Sequence, residues 1–237
     1  GFARSLVACA IASLSFSTFA QEADAQKVTE QSVAEKETIV VTASRMPTRY
    51  NQLIADVSVV DQATIQEYGP AAPISEVLAN EPGITVKSSG GLGSQTSVFM
   101  RGGATSSQTL LLIDGMRVNT AVNGGASWAY VPLQQIGRME IVRGPSSTMY
   151  GSDAIGGVIQ LFTRKGEGDA KVYADAGYGT YGTSAETVGV EGAKDGFSYS
   201  VYAGNAHSLG MPTFTNASGN YNPNDSSYTN SSGSTRL

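Results

Sequence analysis

From Lys171 onward the chain keeps a two-residue period that only extended strands can satisfy. Val172, Ala174, Ala176 and Tyr178 alternate with Tyr173, Asp175 and Gly177. Val188 and Val190 alternate with Thr187, Gly189 and Glu191, and Phe197, Tyr199, Val201 and Ala203 alternate with Ser198, Ser200, Tyr202 and Gly204. Successive strand side chains point to opposite faces, so each segment has one apolar face and one small or polar face. Segments of about ten residues with this pattern are what strands of a transmembrane β-barrel require. A soluble β-sandwich alternates as well, but its inward residues should be bulkier. Lys194-Asp195-Gly196 is a short turn, and residues 209–234 read as one long Gly/Asn/Ser/Asp loop. The stretch 170–237 therefore predicts three strands, whereas bacterial barrels have at least about 8. An open three-stranded edge would leave backbone groups without partners in lipid. The chain is expected to be a fragment.

The other end gives the compartment. Arg4 precedes an apolar run over residues 6–20, and the composition then turns polar. A spanning helix needs about 20 apolar residues; this shorter, Ser-interrupted run reads as a secretory signal peptide over residues 1–20. The single cysteine, Cys9, lies inside it. Leu6-Val7-Ala8-Cys9 spells a lipoprotein-type box, but Arg4 stands where an apolar region should precede it. The mature chain is expected to lack cysteine and disulfide chemistry. A net charge of −5 argues against a nucleic-acid binder, which would show a basic patch or stripe.

Between these ends, residues 21–53 read as a flexible leader that contains a β-branched run, and residues 54–165 as a small α+β unit. Its expected elements are strands at 57–60, 84–86, 97–101, 110–113, 139–142 and 157–162, and a helix at 73–79. Pro73 opens that helix, and Ile74, Val77 and Leu78 fall on one face. Asp114-Gly115 is a hairpin turn.

The segment 141–159, IVRGPSSTMYGSDAIGGVI, carries the most specific wording in the chain. Its Gly-Pro turn and its glycines permit close backbone approaches. It resembles the plug signature of TonB-dependent outer-membrane receptors. Phe99-Met100-Arg101-Gly102 and residues 112–118 resemble two earlier plug motifs of that family, and residues 37–43 resemble its Ton box. The likeness covers residues 37–206 and is nearest to the cobalamin-importing members, which share the VVTA and YGSDAIGG wording.

The resemblance implies an α+β plug followed by the first antiparallel strands of a β-barrel in the outer membrane of a Gram-negative bacterium. It implies a periplasmic TonB partner that energises import, a small-molecule substrate such as cobalamin or a ferric siderophore, and contact with outer-membrane lipid. Glu37, Thr38, Ile39, Val40, Val41, Thr42 and Ala43 would bind TonB as an added strand; the alternative is an ordinary first plug strand. Arg101 and Arg143 would form half of a plug–barrel charge cluster whose carboxylates lie in the barrel, through two-point guanidinium bonds; the alternative is solvated surface arginines. Ser89, Gly91, Gln95, Asn123, Gly124, Gly125 and Trp128 lie on two loops that resemble the ligand-facing loops of the plug, although Trp128 fits the core equally well. The family picture includes loop calcium. Asp225 is the lone carboxylate of residues 209–234, too few for the 6–8 oxygens that calcium takes, so the expectation is no cofactor and no firm metal site.

Other motifs fall away. Residues 177–182 spell G-x-G-x-x-G without the βαβ context that a dinucleotide needs. His207 is the only histidine, and no G-x-S-x-G elbow occurs. No enzyme is expected. The readings left open are a nutrient importer, a plugged barrel acting as adhesin or structural protein, and a secreted β-rich binding module.

Overall fold

The computed structural model describes residues 39–40, 42–43, 46–120, 125–210 and 227–237. All of them fall in one compact unit that spans residues 39–237. Strands β1 (Ile39–Val40) and β2 (Thr48–Arg49) pair antiparallel, and a 3-10 turn at Tyr50–Gln52 follows. The described part of the supposed leader is thus built into the fold.

The centre is a five-stranded sheet. Strands β3 (Asp56–Val60), β6 (Thr109–Ile113), β7 (Met116–Arg117), β8 (Ile136–Arg143) and β9 (Gly157–Thr163) lie in the order β3-β8-β9-β6-β7. Only β6 and β9 run parallel. The strand period sorts its residues onto two faces. Met139, Ile141, Ile159, Leu161 and Leu111 share one buried cluster with helices α1 (Gln62–Glu67) and α2 (Ile74–Ala79). The same cluster takes Ile84, Val98 and Met100 from the hairpin of β4 (Ile84–Ser88) and β5 (Thr96–Met100). Val142, Val158, Leu110 and Leu112 point the other way and pack with Val57 and Val40. Each fully buried aliphatic side chain contributes about 1.5–3 kcal/mol, so a sheet covered on both faces is held far better than one facing water.

Local sequence explains the helices. In α2, Ile74, Val77 and Leu78 form the buried stripe. The expectations above lacked α1, although its signals are present. Asp61 caps it by accepting from the Thr64 amide at 2.9 Å, and the chain leaves it through Gly69 at φ +76°. In the signature, a short helix α3 (Ser147–Tyr150) follows β8.

Strands β10 (Lys171–Gly179), β11 (Thr183–Lys194) and β12 (Phe197–Ser208) form the antiparallel meander that the alternation predicts. Val172, Val188, Phe197 and Val201 are exposed on its outer face, while Ser200 and Tyr202 are buried against the central domain. The G-x-G-x-x-G residues leave β10 through a tight turn with positive φ at Tyr181 and Gly182. One expectation is overturned. A fourth strand, β13 (Tyr228–Arg236), pairs with β12 from Ser208↔Tyr228 to Ser200↔Arg236, where a loop was expected to reach residue 234. YTNSSGSTR has no apolar face because its inward residues meet polar groups: Tyr228 bonds Ala129, Ser232 bonds Gln135 and Arg236 bonds Asp114.

Gly157 permits the closest approach in the central sheet. A Cβ there would overlap the Val142 carbonyl oxygen and the Met100 sulfur. Gly157→Ala is expected to destabilise the domain by about 1–3 kcal/mol, the usual cost of overpacking, read as a lowered urea midpoint. An unchanged midpoint would show that β8 and β9 can part without loss.

Candidate functional site

Two loops at one end of the domain enclose a cavity of about 470 Å³. The first is the tip of the β4–β5 hairpin, which bonds to itself. The Ser89 amide donates to the Gln95 carbonyl and the Ser94 amide to the Gly91 carbonyl, each at 3.1 Å. The second loop is clamped at its base by Asn119, whose Oδ1 accepts from the Leu111 amide at 2.7 Å while its Nδ2 donates to the Thr109 carbonyl at 3.1 Å. The Thr120 amide closes on the Gly125 carbonyl at 2.9 Å. Gln95, Thr96, Thr105, Ser107, Thr120 and Ser127 bring amide and hydroxyl groups to the wall, and Trp128 and Tyr130 add aromatic surface. None of the lining residues carries a charge. Such a wall suits a bulky ligand rich in neutral donors and acceptors.

Of the residues expected here, Gln95, Gly125 and Trp128 line the cavity. Trp128 is 2 % exposed and belongs to the core cluster, so it forms the cavity's packed back wall and not an exposed contact. Ser89 is spent on its own loop, with its hydroxyl donating to Gln95. Gly91 faces a neighbouring cavity of about 300 Å³ with Tyr68 and Tyr181. Asn123, Gly124 and Asp225 lie outside the described residues. The segment Thr105-Ser106-Ser107 also lines the cavity and was not anticipated. Its Ser/Thr run after Gly102-Gly103 was the available signal.

The arginines sit at the opposite end of the β4–β5 hairpin, where the Arg101 amide donates to the Gly83 carbonyl at 2.9 Å. The hairpin spans five residue pairs from Ser88↔Thr96 to Ile84↔Met100, about 13 Å at the strand rise. Among the described residues their partners lie in the same domain. Arg101 pairs with Asp56 at 2.6 Å, and Arg143 reaches Asp56 at 3.4 Å, Glu81 at 3.0 Å and the Pro82 carbonyl at 2.6 Å. The carboxylates thus come from the same domain, because β3 pairs with β8 and places Asp56 directly opposite Arg143. Arg143 is buried and Arg101 half exposed. The Arg101 hydrogen bond holds the Asp56 carboxyl below its ordinary value; desolvation is the next-largest effect and opposes it, and the charges of Arg143 and Arg101 add lesser lowering contributions.

Residues of the 37–43 segment lie on the second face of the sheet. Val40 is fully buried, and the Thr42 amide and hydroxyl donate to Glu140 Oε2 at 2.8 and 2.6 Å. The Thr42 hydroxyl also lies 3.1 Å from Gln160 Oε1, and the Tyr150 hydroxyl donates to the Thr42 carbonyl at 2.9 Å. Glu140 is fully buried, and its other oxygen pairs with Arg138 at 2.8 Å. Ile39 and Val40 thus form β1, and Thr42 lies in the turn that follows and bonds to the central sheet. Glu37, Thr38 and Val41 lie outside the described residues.

Residues 51–158 match the TonB-dependent Receptor Plug Domain family. The chain carries a TonB-dependent receptor plug domain. It is 41% identical over 149 residues to the vitamin B12 transporter BtuB of Vibrio vulnificus strain YJ016, and 40% identical over 150 residues to that of strain CMCP6. Each alignment covers 63% of this chain and 24% of the relative, so the chain spans about a quarter of the length of these relatives. The siderophore receptor PirA from Acinetobacter baumannii is similar in structure, with TM-score 0.52 and 25% identity over 72% of this chain and 26% of that one. The outer-membrane ferripyoverdine receptor of Pseudomonas aeruginosa shares the fold, with TM-score 0.59 and 18% identity over 72% of this chain and 22% of that one.

The plug meets the first wall strands through polar and aromatic groups. Arg164 is buried, donates to the Tyr202 hydroxyl, and lies 4.7 Å from the Tyr173 ring centre and 5.4 Å from that of Tyr202. Arg236 reaches Asp114 and the Thr163 carbonyl, each at 3.2 Å.

Two outcomes test this geometry. Arg143→Ala removes the arginine of Glu81 and leaves Asp56 with Arg101 alone, and is expected to cost about 1–3 kcal/mol, under the value for a fully buried pair because Asp56 is half exposed and keeps one partner. Chemical denaturation reads that loss, and an unchanged stability would reduce the cluster to surface decoration. The Asp56 shift also has a pH signature. A depressed carboxyl stabilises fully above its ordinary value of 3.8, and that contribution is lost as pH falls through the lower folded value. Asp56→Asn should therefore narrow the stability gap to wild type on acidification below that point. A constant gap down to the acid transition would contradict it.

Proposed function

We propose that this chain supplies the plug and first wall strands of an outer-membrane receptor that imports a scarce, bulky nutrient, with vitamin B12 as cargo and TonB as energising partner. The observation that carries this reading is the uncharged cavity at the tip of the β4–β5 hairpin, whose other end holds the arginine cluster. A corrinoid bears many amide groups, which amide and hydroxyl side chains can match one for one. The vitamin B12 transporters of Vibrio vulnificus support the same cargo. The likeness to the siderophore receptor PirA favours a second reading, a ferric chelate. Anionic chelates call for guanidinium or ammonium groups, and the cavity wall offers none.

Transport would act on the other face of the plug. TonB would take the 37–43 segment as an added strand, and Thr42 would pass the pull to the central strands through Glu140 and Gln160. The receptor works as a transporter, without enzymatic turnover and without a resident cofactor.

Uptake and equilibrium binding of labelled cobalamin by the whole receptor test this. Val40→Pro removes a ladder N–H and is expected to abolish energised uptake while binding persists. Ser127→Trp, which fills the cavity, should weaken binding on the order of tenfold or more. Normal uptake by the first variant would remove TonB strand addition, and wild-type affinity in the second would remove the cavity as the site. Binding of a ferric chelate in place of cobalamin would favour the second reading.

A further inference from the structure

A side chain of the wall strand, not of the plug, touches both cavity loops from behind. Tyr228 opens β13. Its hydroxyl donates to the Ala129 carbonyl at 3.1 Å, within the second loop, and its ring lies 6.5 Å from that of Tyr130. The same ring covers Gly93 at the tip of the first loop, closely enough that a Cβ at Gly93 would overlap it. Gly93 and Ala129 both line the cavity, whereas Tyr228 does not. Instead it lines a smaller cavity of about 60 Å³ on the opposite side, with Leu92 and Val131.

We infer that Tyr228 is a positioning residue for the cavity: its ring holds the first loop at Gly93 and its hydroxyl holds the second at Ala129. The inference rests on the import reading only for the identity of the ligand, since the two grips belong to the ligand-free chain. The division of labour is chemical. Gly93 has no side chain with which to anchor its loop, and φ +79° leaves it in the left-handed region, so a ring laid flat against the backbone is the contact available there. At Ala129 the grip is on the backbone carbonyl, to which a phenol hydroxyl can donate and a phenyl ring cannot. Tyrosine alone joins both grips in one rigid side chain with few rotamers. A wall strand that holds both loops also links the cavity's shape to the seating of the plug against the wall. Shifting β13 relative to the plug would release the two loops together.

Amide hydrogen exchange in the whole, ligand-free receptor separates the two grips. Tyr228→Phe keeps the ring and loses the hydroxyl. Exchange at residues 125–130 should then rise about fivefold, the size of one net hydrogen bond, while residues 89–95 stay protected. Tyr228→Ala should release both loops about tenfold or more, with the amides of β8 and β9 unchanged. A merely structural role would instead raise exchange throughout the plug. Unchanged exchange in both loops of Tyr228→Ala, or equal release of both loops in Tyr228→Phe, would overturn the inference. Cobalamin binding supplies the second arm: Tyr228→Ala should weaken it on the order of tenfold, mostly through faster dissociation, and wild-type affinity would overturn the positioning role. If the wild-type receptor binds neither cobalamin nor a ferric chelate, the import reading fails, and the exchange arm still decides what Tyr228 does. Should Tyr228→Ala fail to fold, Tyr228→Phe alone separates the loops.

Discussion

The pairing of β8 with β9 is the contact on which the rest of the domain depends. These two central strands carry both faces of the sheet at once. Met139, Ile141, Ile159 and Leu161 hold the helices and the β4–β5 hairpin, while Val142, Val158, Glu140 and Gln160 hold the N-terminal segment. Their register is also what aligns the flanking glycine-rich signature, because Arg143 stands opposite Gly157 and the Gly144 amide donates to the Gly156 carbonyl at 3.0 Å. A slip by one residue would exchange the two faces and bury the carboxylate of Glu140 among the helices.

The two ends of the β4–β5 hairpin divide the chemistry. One end presents a cavity whose wall bonds without charge, built from loops that close mainly on themselves. The other gathers Arg101, Arg143, Asp56 and Glu81 into a cluster with its own counterions. Among the described residues, the charges of this cluster are paired within the plug itself. The wall contacts that do occur use a stacked guanidinium at Arg164 and neutral hydrogen bonds at Gln135 and Tyr228. Among the described residues, the Arg236–Asp114 pair is a charged contact, and both groups are partly exposed, where ion pairs are weak.

The buried Thr42–Glu140 contact sets how the N-terminal segment can be used. A fully buried carboxylate is costly unless its oxygens are paired. Here Thr42 serves one oxygen and Arg138 the other. Any partner that takes the 37–43 segment as a strand must displace the Thr42 amide from Glu140, so docking on the sheet and docking on a partner compete for the same backbone donor.

What the sequence determined by itself was local. The two-residue period placed β10, β11 and β12, the Pro73 start and apolar stripe placed α2, and Asp114-Gly115 placed a hairpin, since each follows from the conformational preferences of adjacent residues. The signature at 141–159 identified the plug because its turn and glycine pattern is itself contiguous. Tertiary structure decided whatever depends on partners far apart in the chain. Thr42 meets Glu140 across 98 positions and Arg143 meets Asp56 across 87, so no window of sequence could pair them. Strand β13 has no periodic signal of its own, because β12 supplies its ladder and the plug supplies its inward polar contacts. Trp128 could face ligand or core, and only the packing of distant elements, which places it in one buried cluster with Leu133 and Met139, settles that it is buried.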